Sequence, residues 1–420
     1  MSAGDPTTGG AATAPLVERL FRREYAQLVA RTTRRLGAHR LSLAEDVAQE
    51  ALVRALMVWP FEGIPRRPGA WLAMVAERAA IDHLRREGRQ EGFDAIPEPA
   101  SPAPVTNEDE DLLRLMLLCC HPSLPIESRL ALVLKTACGF GNDEIAAGLL
   151  TTSEAVKRRL SRAHAILRDG SVDLECEGDE RARRLDSLLL ALYLLFNEGH
   201  SSAREEAHVR AELVDEALRL VRLVADDRRL AGPQVHALAA LFCLQAARVE
   251  ARLDEGGVPL SLAEQDRSRW DRALTAEGFV RLERSMSGER ETRYHLEAAI
   301  AAAHAAAPSW GDTDWRHLLL LYDRLLRCHP SPVVALGRCV ALAQVTGPRA
   351  GLAELDRIDA SVELPLRTAT RAQLLWLAGD LEAATDAFRR AIEEERSPSR
   401  RRFLERRWTA CSSGGAPLDW

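Results

Sequence analysis

Apolar residues recur every three or four positions through most of this chain, and period-two runs of β-branched residues are scarce. That spacing belongs to amphipathic helices, so the pattern predicts an all-α protein. LVERLFRREYAQLVARTTRRLG predicts a first helix, ended by Gly37. Ser42, with Glu45 three residues on, offers a capping box for a second helix, LAEDVAQEALVRALMVW, which should stop before Pro60. WPFEGIPRRPGA, with three Pro and two Gly, reads as a loop. WLAMVAERAAIDHLRRE is a third helix, ended by Gly88. The period then vanishes in GRQEGFDAIPEPASPAPVTNEDED, where seven acids face one Arg. That composition predicts a linker.

Helices resume at Leu112 and run to about Arg168, followed by a weaker break over 169–180. From Arg181 to about Arg407 the chain is helical again, with breaks expected at 254–259, 285–289, 308–312, 330–332 and 347–348. Ala350 and Ala384 lie 34 residues apart, and Leu355 and Phe388 lie 33 apart. Ala384, Phe388 and Ala391 have the four-then-three spacing of the second helix of a tetratricopeptide (TPR) repeat, whose period is about 34. The expected organisation is a disordered tail at 1–14, helical domains at 15–89 and 111–170 around an acidic, Pro-rich linker at 90–110, a TPR-like helical extension at 180–409 and a tail at 410–420.

Within the second of these domains, NDEIAAGLLTTSEAVKRRLSRAHAIL suggests a helix-turn-helix. Ile145, Ala146 and Leu149 give the first helix an inner face. Thr151, with Glu154, can cap the second helix. Val156, Leu160, Ala163 and Leu167 line the face that would pack on the first, which turns Lys157, Arg158 and Arg162 toward solvent or phosphate. In this motif the second helix enters the major groove by its N-terminal end. A helical hairpin with a solvated basic face would show the same pattern.

Charge has to be read locally. The whole chain carries a net charge of -6, so it is not a basic nucleic-acid binder overall. Residues 153–168, however, hold five basic residues against one acid. The first 15 residues have neither the basic start nor the apolar core of a signal peptide, and no apolar run is long enough to span a membrane. A cytoplasmic protein without a membrane partner is expected, its eight cysteines reduced. Cys119, Cys120 and His121 stand together, but adjacent cysteines lack metal-ligand spacing and no second pair completes a set. No metal and no cofactor are predicted. No nucleophile and base pair up, and His295 and His304 lack carboxylate partners at ligand spacing, so an enzyme is not expected.

LAEDVAQEALVRAL, followed by a loop and PGAWLAMVAERAAIDHLRRE, resembles region 2 of bacterial sigma factors, and EIAAGLL with SEAVKRRLSRA resembles their region 4. The order, the acidic linker and the lack of a domain between them resemble the extracytoplasmic-function (group 4) class. YLLFNEGH, EQDRSRWD and HLEAAIAAAHA resemble the subgroup with a long TPR-like extension. The resemblance implies a factor that binds core RNA polymerase and directs it to promoter DNA. It assigns Asp46, Gln49 and Glu50 to the clamp helices of the largest core subunit. It assigns Arg66, Arg67, Arg78, Arg85 and Arg86 to the −10 element, where a base of the non-template strand is flipped into the loop. It gives Ser153, Glu154, Lys157, Arg158 and Arg162 to the −35 element. Trp71 could stack a base but fits a core position better.

Three positions depart from the family pattern. Glu77 and Arg78 stand where Arg and Asn are common, and Leu150 stands at the turn where Gly is usual. The TPR-like extension implies a protein or peptide partner and a regulatory role. Two other readings remain: a one-component helix-turn-helix regulator with a helical sensor, and a scaffold whose repeats do the work.

Overall fold

The computed structural model describes residues 10–90, 107–149, 151–169, 172, 174, 176–200, 207–288, 290–359, 364 and 366–417, with side chains of 10–20, 88–90, 200 and 207–211 left aside. Among these residues it is all-helical, with 18 α-helices and no strand. One isolated β-bridge joins Leu253 to Pro259. The chain divides into two compact units, 1–195 and 196–420.

The first unit opens with α1 (Gly10–Leu36), a 3-10 turn (Ala38–Arg40), α2 (Leu41–Glu62) and α3 (Pro68–Gln90). These three helices pack on one another. Gly37 ends α1 at φ +87°, which a residue with a Cβ adopts only under strain. The inner face of α2 is Leu41, Ala44, Val47, Ala48, Ala51 and Ala55, all buried. Small alanines let α1 and α3 approach closely on both sides.

Three local expectations are corrected here. Ser42 makes no cap, because α2 starts one residue earlier, and Glu45 turns inward to pair with His164 at 3.0 Å instead of closing a box. Pro60 does not stop the helix; α2 continues through it to Glu62. Pro60 lacks the N–H that would bond the Leu56 carbonyl, so the helix carries it at the cost of one backbone bond near its end. Gly88 does not end α3, which runs to Gln90. The tail expected at 1–14 is helical from Gly10, and residues 1–9 lie outside the described set.

Next come α4 (Glu108–Cys119), α5 (Ile126–Thr136), α6 (Asn142–Gly148), α7 (Ser153–Arg168) and α8 (Gly178–His200), within which the division between units falls. Asn107 caps α4, so the expected linker ends before 108; residues 91–106 of it lie outside the described set. Four acids in the first turn of α4 complement its N-terminal dipole. The helices α5, α6 and α7 form a three-helix cluster. Gly139 (φ +71°) lies between α5 and α6, and a Cβ there would come to 3.0 Å from the Arg22 carbonyl oxygen of α1. Cys119 and Cys120 are fully buried, and Cys119 Sγ lies 3.1 Å from Thr136 Oγ1. Burial pushes the Cys119 thiol up to about 12, so it stays protonated. All eight cysteines are free, and no metal-binding group occurs among the described residues.

The second unit holds α9 (Ala207–Asp226), α10 (Pro233–Ala246), α11 (Arg272–Ser285), α12 (Arg293–Ala306), α13 (Trp315–Cys328), α14 (Pro332–Thr346), α15 (Pro348–Arg357), α16 (Arg367–Leu377), α17 (Leu381–Glu394) and α18 (Pro398–Ser412). From α12 to α18 each helix packs on the next in the chain, as in a stack of helical repeats. Ala384, Phe388 and Ala391 are buried against the fully buried Trp376. Trp376 meets Phe388 edge-on at 6.0 Å between centroids. The expected break at 254–259 is much longer: no α-helix runs from 247 to 271, and a further break separates α9 from α10 ahead of Gly232 and Pro233. Among the described residues no helix is long and apolar enough to cross a membrane.

Candidate functional site

The helix-turn-helix is built by α6 and α7. Gly141 N donates to Glu144 Oε2 at 2.6 Å, closing the start of α6. Thr152, not Thr151, caps α7: its Oγ1 accepts from Ala155 N at 3.2 Å. Ser153 and Glu154 open the first turn of α7. Val156, Leu160, Ala163 and Leu167 are the buried residues of α7, the stripe read from the spacing. Glu154, Lys157, Arg158 and Arg162 are exposed on the other side, and Ser153 is half-buried. Lys157, Arg158 and Arg162 make no ion pair among the described residues. Leu150, in the turn, lies outside them.

This motif does not stand alone. Its buried side rests on the helices of the first half. His164 of α7 pairs with buried Glu45 of α2, Arg22 of α1 with Glu144 of α6, and Arg34 of α1 with Asp111 of α4 at 3.1 Å. The Arg22 guanidinium also lies 4.6 Å from the Phe140 ring centroid.

The outward face of α2 presents Asp46, Gln49 and Glu50, all exposed. Burial first, then Glu45, raises the Asp46 carboxyl above its ordinary value. Beyond them the same face turns apolar. Val53, Leu56 and Met57 are exposed, and Phe61 and Ile64 at the tip are 89% and 72% exposed. The sequence reading passed over these five residues. The signal was present in ALVRALMVWPF, which holds more apolar residues than one buried helix face can use.

An open groove of about 560 Å³ lies between α2 and α3, lined by Glu50, Arg54, Trp71, Arg78, His83 and Arg86 among others. Trp71 is half-buried against Trp59, 5.6 Å away, and also lines the groove. Glu50 Oε1 lies 2.9 Å from His83 Nε2, so this residue belongs to the groove as well as to the α2 face. Arg66 and Arg67 stand exposed in the loop beside Ile64. Arg66, Arg67, Arg78 and Arg86 make no ion pair among the described residues. Arg85 contacts Asp82 at 4.0 Å. Glu77 is committed to Arg35 of α1, which leaves its neighbour Arg78 facing the groove.

A model of sigma-70 region 2 matches residues 21–90, and one of sigma-70, region 4, matches residues 114–167. The chain carries sigma-70 regions 2 and 4, the domains of a sigma factor. The two matches cover the groove and the helix-turn-helix in the order described. Sigma factors of this family bind core RNA polymerase and promoter DNA. A third model, a family of unknown function (DUF6596), matches residues 184–286 of this sigma factor.

The uncharacterized protein R00370 of Rhizobium meliloti (strain 1021) is 38% identical over 329 residues, covering 75% of this chain and 77% of that protein. The two share one family along most of their length. The ECF RNA polymerase sigma factor SigE of Mycolicibacterium smegmatis is 31% identical over 172 residues, 39% of this chain and 64% of SigE. The probable RNA polymerase sigma factor RfaY of Xanthomonas campestris pv. campestris is 29% identical over 144 residues, 31% of this chain and 34% of RfaY. No solved structure matches this sigma factor.

Proposed function

We propose that this sigma factor is of the extracytoplasmic-function (group 4) class, that it places core RNA polymerase at a two-element promoter, and that its own C-terminal unit regulates it. The observation that carries the first part is the placement of two groups of exposed cations that make no ion pair among the described residues. Arg78 and Arg86 line the α2–α3 groove, Arg66 and Arg67 stand exposed in the loop that joins these helices, and Lys157, Arg158 and Arg162 lie on the open face of α7. Elsewhere in the first unit, Arg22, Arg34 and Arg35 are spent on internal ion pairs. Exposed guanidinium and ammonium groups without an ion pair are suited to phosphate, and two separate groups of them suit two DNA elements rather than one. The likeness to SigE supports the class.

In this reading Asp46, Gln49 and Glu50 begin a docking strip on α2 for the polymerase clamp, and Val53, Leu56 and Met57 extend it with apolar area. Phe61 and Ile64, beside Arg66 and Arg67, receive the unpaired −10 strand. The aromatic face stacks a base while the guanidiniums follow its phosphates. The first turn of α7, with Ser153, Glu154, Lys157 and Arg158, reads −35 base edges, and Arg162 holds the backbone. Phe61→Ala is expected to lower open-complex formation by about 1–3 kcal/mol in permanganate footprinting while leaving start sites unchanged. Normal opening would remove Phe61 from the strand's path.

The deciding experiment for the function is run-off transcription from a mixed promoter library with purified core polymerase and this protein. Start sites that depend on the protein establish the reading and reveal both elements. No transcripts, together with specific binding to duplex DNA alone, would favour a one-component regulator.

The regulatory part rests on the size of the second unit and its stack of helical repeats, an architecture that commonly binds peptides. A deletion that tests it has to keep the start of α8. There Arg184 is fully buried beside Glu180, and Arg129 of α5 donates to Ser187 Oγ at 2.8 Å. Removal of residues 196–420 is expected to change promoter output or its inducibility. Identical output and inducibility would rule out a regulatory role.

A further inference from the structure

The EQDRSRWD segment of the second unit accounts for itself almost residue by residue. Glu264 pairs with Arg406 and Arg407, Asp266 accepts from Ser268 N, Arg269 donates to the Glu250 carbonyl, and Asp271 caps α11. What these contacts leave over is a cationic cluster around one indole. Trp270 is 6% exposed. The Arg248 guanidinium carbon lies 5.4 Å from its ring centroid, and that of Arg267 lies 4.9 Å away.

Neither guanidinium bonds a carboxylate among the described residues. Arg248 Nε donates to Gln265 Oε1 at 3.3 Å and Nη1 to Gln245 Oε1 at 3.4 Å. Arg267 Nη1 donates to the carbonyls of His304 and Ala307 at the end of α12. Asp312 favours the charge of Arg267 from further off. Glu264 is committed to α18, and Glu277 to Arg222 and Arg281. Burial, and then the positive charges of Arg252 and Arg267, bring Arg248 down to about 9. Burial, and then Arg248 and Arg267, bring the neighbouring His304 imidazole down to about 4. Three buried polar atoms of this group have no partner among the described residues: Arg267 Nη2, Trp270 Nε1 and His304 Nδ1.

Buried charge persists in proteins where it is paired or holds a ligand. Clustered guanidiniums with amide partners and an unused indole N–H match a multiply charged oxyanion. A phosphoryl group carries about -1.5 to -2 charges at neutral pH and takes forked guanidinium donors, which a single-charge carboxylate uses less fully. We propose that Arg248 and Arg267, with the Trp270 indole N–H, form a binding site for a phosphoryl group. His304 supports it as a neutral ring beside Trp310 and Trp315, at 6.4 and 5.6 Å between centroids. Such a site would let the second unit sense a phosphorylated ligand.

The test is isothermal titration of the full-length protein with inorganic phosphate at constant ionic strength, chloride serving as control. Saturable phosphate binding is expected, weakened at least tenfold in Arg248→Gln and less in Arg248→Lys, which keeps the charge without the planar fork. Phosphate should raise the melting temperature of the wild type and not that of Arg248→Gln; a packing role alone would shift both conditions equally. If Arg248→Gln does not fold, the Arg248→Lys titration and phosphate-dependent fluorescence, compared with Trp270→Phe, read the same site. A phosphate monoester and a phosphoserine peptide, titrated in parallel, separate a small metabolite from a modified protein as the source. No saturable binding of any of the three, or binding undiminished in the Arg248 variants, would overturn the site.

Discussion

Asp46→Arg is expected to abolish association with core RNA polymerase while leaving the fold intact. Asp46 is exposed, and the buried face of α2 is carried by other residues, so the substitution should cost within about 0.5 kcal/mol of stability. Its effect on docking is of another size. The carboxyl is partly desolvated and lies beside Glu45 and Glu50, a concentration of negative charge suited to a basic partner. Reversing one charge in such an interface sets like charges against each other, which costs several kcal/mol. At about 1.4 kcal/mol per tenfold, affinity should fall by at least about a hundredfold. Pull-down with core, beside a thermal melt of the free protein, measures both quantities. Retained binding with a normal melt would take Asp46 out of the interface and leave the apolar strip of Val53, Leu56 and Met57 to carry docking.

Arg158→Ala should weaken promoter binding by about 1–3 kcal/mol and relax preference at one −35 position. Arg158 is exposed near the start of α7, opposite the buried stripe of Val156, Leu160, Ala163 and Leu167, and has no ion pair among the described residues. Its removal therefore frees no buried carboxylate and should not unfold the motif. Two outcomes differ in kind. A contact to a base edge makes the loss sequence-dependent. A contact to phosphate weakens all promoters alike and lowers the salt slope by about one. Binding to a −35 library at two salt concentrations distinguishes them. Unchanged affinity and unchanged preference would exclude Arg158 from the DNA face.

The helical class, the buried stripe of α7 and the stop at Gly37 were legible because each depends on residues close in sequence. Local capping was less legible. Thr151 and Thr152 are chemically alike neighbours, and the cap falls to Thr152. Ser42 looked like a cap with Glu45 as its partner, but a distant histidine, His164, claims that carboxylate. Pro60 looked like a stop, yet α2 runs through it for two more residues, to Glu62.

By itself the sequence determined the helical periodicity, the two sigma-like segments and the basic face of α7, since side chains three and four apart share a helix face whatever surrounds them. Tertiary structure decided which charges are spent and which are free. Arg22 and Arg34 pair with acids on the other half of the first unit, while Arg78 and Arg86 reach an open groove. It also decided that Phe61 and Ile64 face solvent and that Arg248 and Arg267 converge on Trp270. Those pairings join residues far apart along the chain, and an arginine reads the same in a sequence whether its partner is a carboxylate, a carbonyl or a ligand.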